Sequence, residues 1–242
     1  MNKIIFLFIL ILTILPVLAG SYNLQNYDSF NKNRLIDTHQ ERILFILDYS
    51  NSMAEILENK TKYELMINSI KEILPAVNPN VLTGLRVYGH KMGFSSFDAC
   101  RASSLATPIQ ANNNKNILEA IGKYKPKGMT PITYSLKQAV LHDFLGMEGD
   151  KRIVLLTDGG ENCDESPCDY VMELIKLRKD IHIDVIAFNI RDKDDLDQLR
   201  CTALVTSGKF YNPTTSAELV NSFNQTLSKQ KRVEAKIIPN QE

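Results

Sequence analysis

The chain reads as an α/β protein with a doubly wound, mostly parallel central sheet flanked by helices. Three observations carry that expectation. Residues 43–47 (ILFIL) and 153–156 (IVLL) are continuously apolar, as strands buried on both faces of a parallel sheet must be, instead of alternating with polar residues. Stretches with apolar residues at helical spacing separate these runs from further short apolar runs, which is the strand–helix alternation of a parallel sheet. Each of the two runs is followed within two residues by an acid, Asp48 or Asp158. Open α/β sheets bind their ligands at the carboxyl ends of the strands.

Taken in order, the first strand is 43–48. A helix follows at about 61–77, where Tyr63, Met66, Ile67, Ile70, Ile73 and Leu74 share one face and Pro75 and Pro79 close the element. Residues 84–90 (GLRVYGH) form the second strand and 104–109 a short third one; 116–124 is helical. The segment 128–133 (GMTPIT) runs into a helix at 135–144, with Thr130 placed as its N-cap and Pro131 as the first helical residue. Then come strand 153–158, helix 169–179, strand 182–190, helix 194–206, a short strand at 209–211 and a closing helix at 217–227. If the chain winds outward from the first strand and returns to lay 153–158 beside it, both acids flank the point where the winding reverses.

A chain of 242 residues, 44% of them hydrophobic, supports one main core. Its 28 basic and 28 acidic side chains leave no electrostatic footprint for nucleic acid. At the start, Lys3 precedes the apolar run 4–19 and the small residues Ala19, Gly20 and Ser21, the order of a secretory signal peptide over 1–20. That run is slightly shorter than the ~20 residues of a spanning helix, and an uncleaved membrane anchor is the alternative. No cysteine follows Gly20, which argues against a lipoprotein. Residues 21–41 are polar and rich in Asn, a flexible lead-in; the domain is 42–228, and 229–242 is a tail. Export to the periplasm or the exterior matches the four cysteines, an even number suited to two disulfides.

The chemistry concentrates at Asp48, Ser50 and Ser52, a carboxylate and two hydroxyls at i, i+2 and i+4 on a tight turn. Oxygen-only ligands suit a hard divalent cation, Mg²⁺ first and Mn²⁺ or Ca²⁺ next, and not zinc or copper. A turn capped by Asp48 and Ser50 would account for the triplet alone, as helix capping would for Thr130. Glu161 and Asp164 read as a solvated loop. His39, His90, His142 and His182 have no metal-ligand spacing, and no nucleophile elbow, Walker loop or dinucleotide fingerprint is present. An aspartyl-phosphate enzyme would need an acid where Ser50 stands, and we expect no catalytic residues; a metal-assisted hydrolase is the alternative, short of a general base.

The segments DYSNS (48–52), GMTPI (128–132) and TDG (157–159) together resemble the metal-ion-dependent adhesion site of von Willebrand factor A (vWA) domains, over about 42–228. GLRVYGH (84–90) and QLRC (198–201) resemble an exported bacterial branch of that superfamily. The resemblance implies a Rossmann-like sheet with one short antiparallel edge strand. It also implies a metal held directly by Ser50, Ser52 and Thr130, with Asp48 and Asp158 bound directly or through water. Such a cation stays under-neutralised and takes a Glu or Asp from a partner protein, so the implied function is a secreted or envelope binding module. A structural subunit of an envelope complex with a degenerate site is a further alternative. Asn51, where the family often has Gly, and Tyr49 depart from the pattern at positions that are not ligands.

Four cysteines allow three pairings. Cys163 with Cys168 would close a small local loop and leave Cys100 to reach Cys201. Cys100 with Cys163 would tie two loops on the metal-site face while Cys168 joins Cys201 between neighbouring helices, and this arrangement is favoured. It follows from a core stripe of Leu196, Leu199, Ala203 and Leu204, which turns Cys201 sideways.

Overall fold

A computed structural model describes residues 40–228; the signal-peptide reading, almost all of the lead-in and the tail lie outside the described residues. The elements are β1 (Arg42–Asp48), a one-turn 3-10 segment (Asn51–Ala54), the small hairpin β2 (Ile56–Leu57) and β3 (Lys60–Thr61), and α1 (Lys62–Ile73). There follow β4 (Leu82–Tyr88), α2 (Ser96–Ala99), β5 (Ser103–Gln110), α3 (Asn114–Ile121), and α4 (Ile132–Gln138), which runs into a π-type turn (Ala139–Asp143). β6 (Lys151–Thr157), α5 (Pro167–Leu177), β7 (Ile181–Ala187), α6 (Lys193–Val205), β8 (Phe210–Tyr211) and α7 (Ser216–Leu227) complete the series.

The main sheet has the order β5-β4-β1-β6-β7-β8. All neighbours are parallel except β4 and β5, so β5 is the antiparallel edge strand. The chain winds outward through β1, β4 and β5, then returns to place β6 on the other side of β1, with Leu44 opposite Ile153 and Leu47 opposite Leu156. The switch point therefore lies where Asp48 and Asp158 emerge, as the winding argument requires.

β1 is buried along its whole length because it feeds two cores. Ile43, Phe45 and Leu47 pack with α1, α3 and α7 on one face, while Leu44 and Ile46 pack with α4, α5 and α6 on the other. Alternate residues point to opposite faces, so a central strand covered on both sides has no place for a polar alternation. α1 begins with a capping box: Thr61 accepts from Glu64 N, and the Glu64 carboxylate accepts from Thr61 N. Its apolar face carries Tyr63, Met66, Ile67, Ile70 and Ile73, all buried.

Several boundaries differ from the sequence reading. β4 stops at Tyr88, because Gly89 takes φ +71° and turns the chain. Pro131, not Thr130, occupies the position before the first residue of α4, and no side chain of its own segment caps that helix. The Glu161 carboxylate instead accepts from Thr133 N at 2.7 Å. Leu204 is 60% exposed, and the inner face of α6 is made by Leu199, Thr202 and Ala203. Cys201 is still turned sideways: the disulfides are Cys100–Cys163 and Cys168–Cys201, with Cα separations of 5.5 and 5.4 Å. Among the described residues no helix is long and apolar enough to cross a membrane.

Candidate metal centre

Three backbone segments meet above the carboxyl ends of β1, β4 and β6. Tyr49 N continues the ladder by donating to Tyr88 O at 2.8 Å, and Ser50 then pairs with Gly128 as an isolated parallel bridge. Asn51 N donates to Gly128 O at 3.0 Å, and Gly128 N donates to Gly89 O at 2.7 Å. The approach is closer than side chains permit. A Cβ on Gly89 would stand 2.6 Å from Ser50 N, and one on Gly128 would overlap Lys91 O. These two glycines let the Asp48 turn and the Thr130 segment sit side by side.

Asp48 is fully buried, and its carboxylate accepts from Ser50 N at 2.6 Å and from Thr157 Oγ1 at 2.8 Å. Ser52 Oγ donates to Asp158 Oδ1 at 2.6 Å, and the Ser50 and Ser52 hydroxyls lie 3.0 Å apart. A hydroxyl has one proton, so with that of Ser52 directed to Asp158, Ser50 must be the donor to Ser52. Both protons run toward Asp158 and leave lone pairs on the two serine oxygens. Asp158 Oδ2 accepts from the Lys62 ammonium at 2.9 Å, and Lys62 also donates to Glu55 at 2.7 Å. Thr130, 4% exposed, is the fifth expected ligand; its N–H donates to Asn162 Oδ1 at 2.6 Å. Four of the five expected residues are thus linked through one hydrogen-bonded network that includes Thr157, and the backbone bridge at Gly128 brings the fifth segment beside it.

Electrostatically the centre is short of positive charge. Burial first, and the charge of Asp158 second, push the Asp48 carboxyl up to about 7 against the lowering effect of its Ser50 and Thr157 hydrogen bonds. Asp158 is raised by burial, with Ser52 and Lys62 pulling the other way. The Tyr88 hydroxyl, opposite Asp48 in register, is buried beside the Asp48 and Thr157 side chains. Burial and the neighbouring Asp48 charge hold it well above the ordinary tyrosine range.

These features fit a cation. Two buried carboxylates, of which only Asp158 is paired with an ammonium, and a line of hydroxyl lone pairs form an oxygen-only donor set for a hard ion. Among the described residues no group of three or more His, Cys, Asp and Glu side chains is placed to hold a metal ion, so hydroxyls would have to complete any such site.

The family model for the von Willebrand factor type A domain matches residues 43–225. The chain belongs to this family. The vWA domain is 26% identical to the uncharacterized protein YwmC of Bacillus subtilis over 187 residues, covering 76% of this chain and 81% of that one. It is 23% identical to the uncharacterized YwmD of the same organism, over 84% of this chain and 88% of that one. Among solved structures it resembles proximal thread matrix protein 1 of the mussel byssus with a zinc-occupied MIDAS motif. That match has TM-score 0.59 and 22% identity, and covers 80% of this chain but 46% of the mussel protein, so the chain spans less than half of that relative's length.

Sequence reasoning missed the second layer of the vWA centre. Lys62 and Glu55 gave no local signal, since a lysine opening a helix ordinarily reads as solvated. Glu161 is not a loose loop acid: it accepts from Thr133 N and from Cys163 N, and so holds the start of α4 against the loop after β6. Asn162 accepts from Thr130 N and fixes that backbone. Thr157 stood in the quoted TDG segment, yet its bond to Asp48 required the fold.

Proposed function

We propose that this vWA domain holds a divalent cation at Ser50, Ser52 and Thr130, with Asp48 and Asp158 supporting it directly or through water, and uses it to bind a partner protein. The bound ion would supply a Lewis-acidic position for a Glu or Asp side chain of that partner. The observation that carries this reading is the buried Asp48–Asp158 pair, with the Ser50 backbone N–H on Asp48 and the Ser50–Ser52 hydroxyl line ending on Asp158. Few direct carboxylates leave the ion partly neutralised, which favours capture of an anionic oxygen over bond cleavage. Two disulfides accord with a secreted or envelope location.

Zinc in the MIDAS motif of the mussel protein extends the range of ions to test beyond the Mg²⁺, Mn²⁺ and Ca²⁺ that oxygen ligands favour. Thermal melting in each of the four, against chelator, is the direct measurement. Mg²⁺ or Mn²⁺ should raise the Tm of the full chain, and Asp48→Ala should abolish both the rise and metal-dependent capture of the partner from envelope extract. A melting curve indifferent to all four ions would refute the reading.

A further inference from the structure

Lys62 opens α1 and is only 5% exposed. Lysine is rarely buried so deeply unless its ammonium is paired, and here Asp158 Oδ2 and Glu55 Oε2 accept from it. The two acceptors are unequal. The Asp158 side chain is buried, whereas that of Glu55 is 65% exposed and largely screened by water. Asp158 is also the residue toward which both serine hydroxyl protons run, so Lys62 is in direct contact with the carboxylate that anchors the hydroxyl line. With both carboxylates ionised, as ligation of a cation requires, Asp48 and Asp158 contribute two negative charges and Lys62 one positive. A divalent ion arriving there meets one net negative charge instead of two, with an ammonium as a fixed neighbour.

We propose that Lys62 sets the cation affinity of the vWA centre: it is the resident counter-ion of the metal-free site, and it leaves a bound divalent ion with positive charge that an incoming carboxylate neutralises. The proposal rests on the metal-binding reading above. It makes cation uptake by the free protein weak and ties it to the arrival of an acidic ligand, since by linkage each must then tighten the other. A packing role for Lys62 would leave metal affinity unchanged when a side chain of similar length replaces it. A charge role would not.

The test is calorimetric titration of MnCl₂ into the full chain, comparing the natural protein with Lys62→Met, which keeps the aliphatic stem, and Lys62→Arg, which keeps the charge. Lys62→Met should bind Mn²⁺ at least about tenfold more tightly, because a unit charge a few ångströms from a divalent ion is worth more than a factor of ten even when partly screened. Lys62→Arg should stay within about threefold of the natural protein. If Lys62→Met unfolds in chelator and regains its fold with Mn²⁺, the same conclusion holds in a stronger form. Equal or weaker binding by Lys62→Met, tightening by Lys62→Arg as well, or unfolding of Lys62→Met with and without Mn²⁺ would overturn the role of Lys62 alone. Absence of Mn²⁺ binding by both the natural chain and Lys62→Met would overturn the metal reading and this assignment together.

Discussion

Removing Asp143 should be among the most damaging single changes in the domain, although it is none of the expected ligands. Arg86 on β4 donates to it twice, Nε to Oδ2 and Nη2 to Oδ1, both at 2.6 Å. The two side chains are 5% and 2% exposed, and the guanidinium's other bond, to Ser103 Oγ, is 3.0 Å long. Asp143→Ala would leave a buried cation with one weak acceptor, a change that costs about 3–5 kcal/mol. For a domain of this size 1 kcal/mol moves the Tm by roughly 2–4 °C, so the loss should approach 10 °C or more. A double substitution, Arg86→Met with Asp143→Leu, removes both charges and should recover most of the loss, because well-packed apolar residues replace buried ion pairs at about equal stability. Urea unfolding of the natural protein, Arg86→Met, Asp143→Leu and the double variant, with m-values checked for constancy, gives the coupling energy, and Asp143→Ala is measured alongside. An Asp143→Ala cost below about 1 kcal/mol, or a double variant no better than the sum of the singles, would refute the argument.

Two other outcomes follow from named contacts. Gly128→Ala should cost about 2 kcal/mol, since its Cβ would overlap Lys91 O, and should blunt any Mg²⁺-induced rise in Tm; a variant melting like the natural protein with and without Mg²⁺ would show that the close backbone approach is dispensable. His90 is packed edge-on against Tyr124 and bonded to Ser104 Oγ, and burial with the adjacent Lys91 charge pulls it down to about 4. Because its folded pKa lies below the ordinary value of about 6.5, the unfolded chain takes up the proton first as pH falls. Its contribution is therefore complete above about pH 6.5 and is lost progressively down to about pH 4. Replacing His90 with Gln should flatten the stability–pH curve in that window, and an unaltered slope in denaturant melts would rule the residue out as its source.

What was legible in the sequence was whatever is encoded locally. Continuous apolar runs at β1 and β6 announced central parallel strands, and acids just past them marked the switch point, because both signals depend only on a strand being covered on two faces. The pairing of Cys168 with Cys201 was within reach because one helical stripe fixes which way a neighbouring residue points. Leu204 shows the limit of that logic: an apolar residue at the edge of the stripe is not drawn inward when Thr202 packs there with its hydroxyl bonded to Gln198 O. Thr130 was misplaced as a cap for a related reason. Its local chemistry suits an N-cap, but the Glu161 carboxylate, 28 positions from Thr133, already meets that need. Lys62 with Asp158, and Arg86 with Asp143, are separated by 96 and 57 positions, and no spacing rule connects them.

The Cys100–Cys163 bridge has a consequence for the kinetics and entropy of recognition. It fastens the exposed loop before β5, where Met92, Phe94 and Phe97 stand outward, to the loop that follows Asp158. Arg101 sits over the Phe97 ring of the same segment at 3.4 Å and lies 5.9 Å from the Tyr134 ring on α4, so this segment is also tied to its own neighbour and to the start of α4. Loops restrained this way surrender their freedom when the chain folds. A partner docking beside Thr130 would then lose little more to ordering, and its residence time would depend on the contacts it makes rather than on the disorder it must quench.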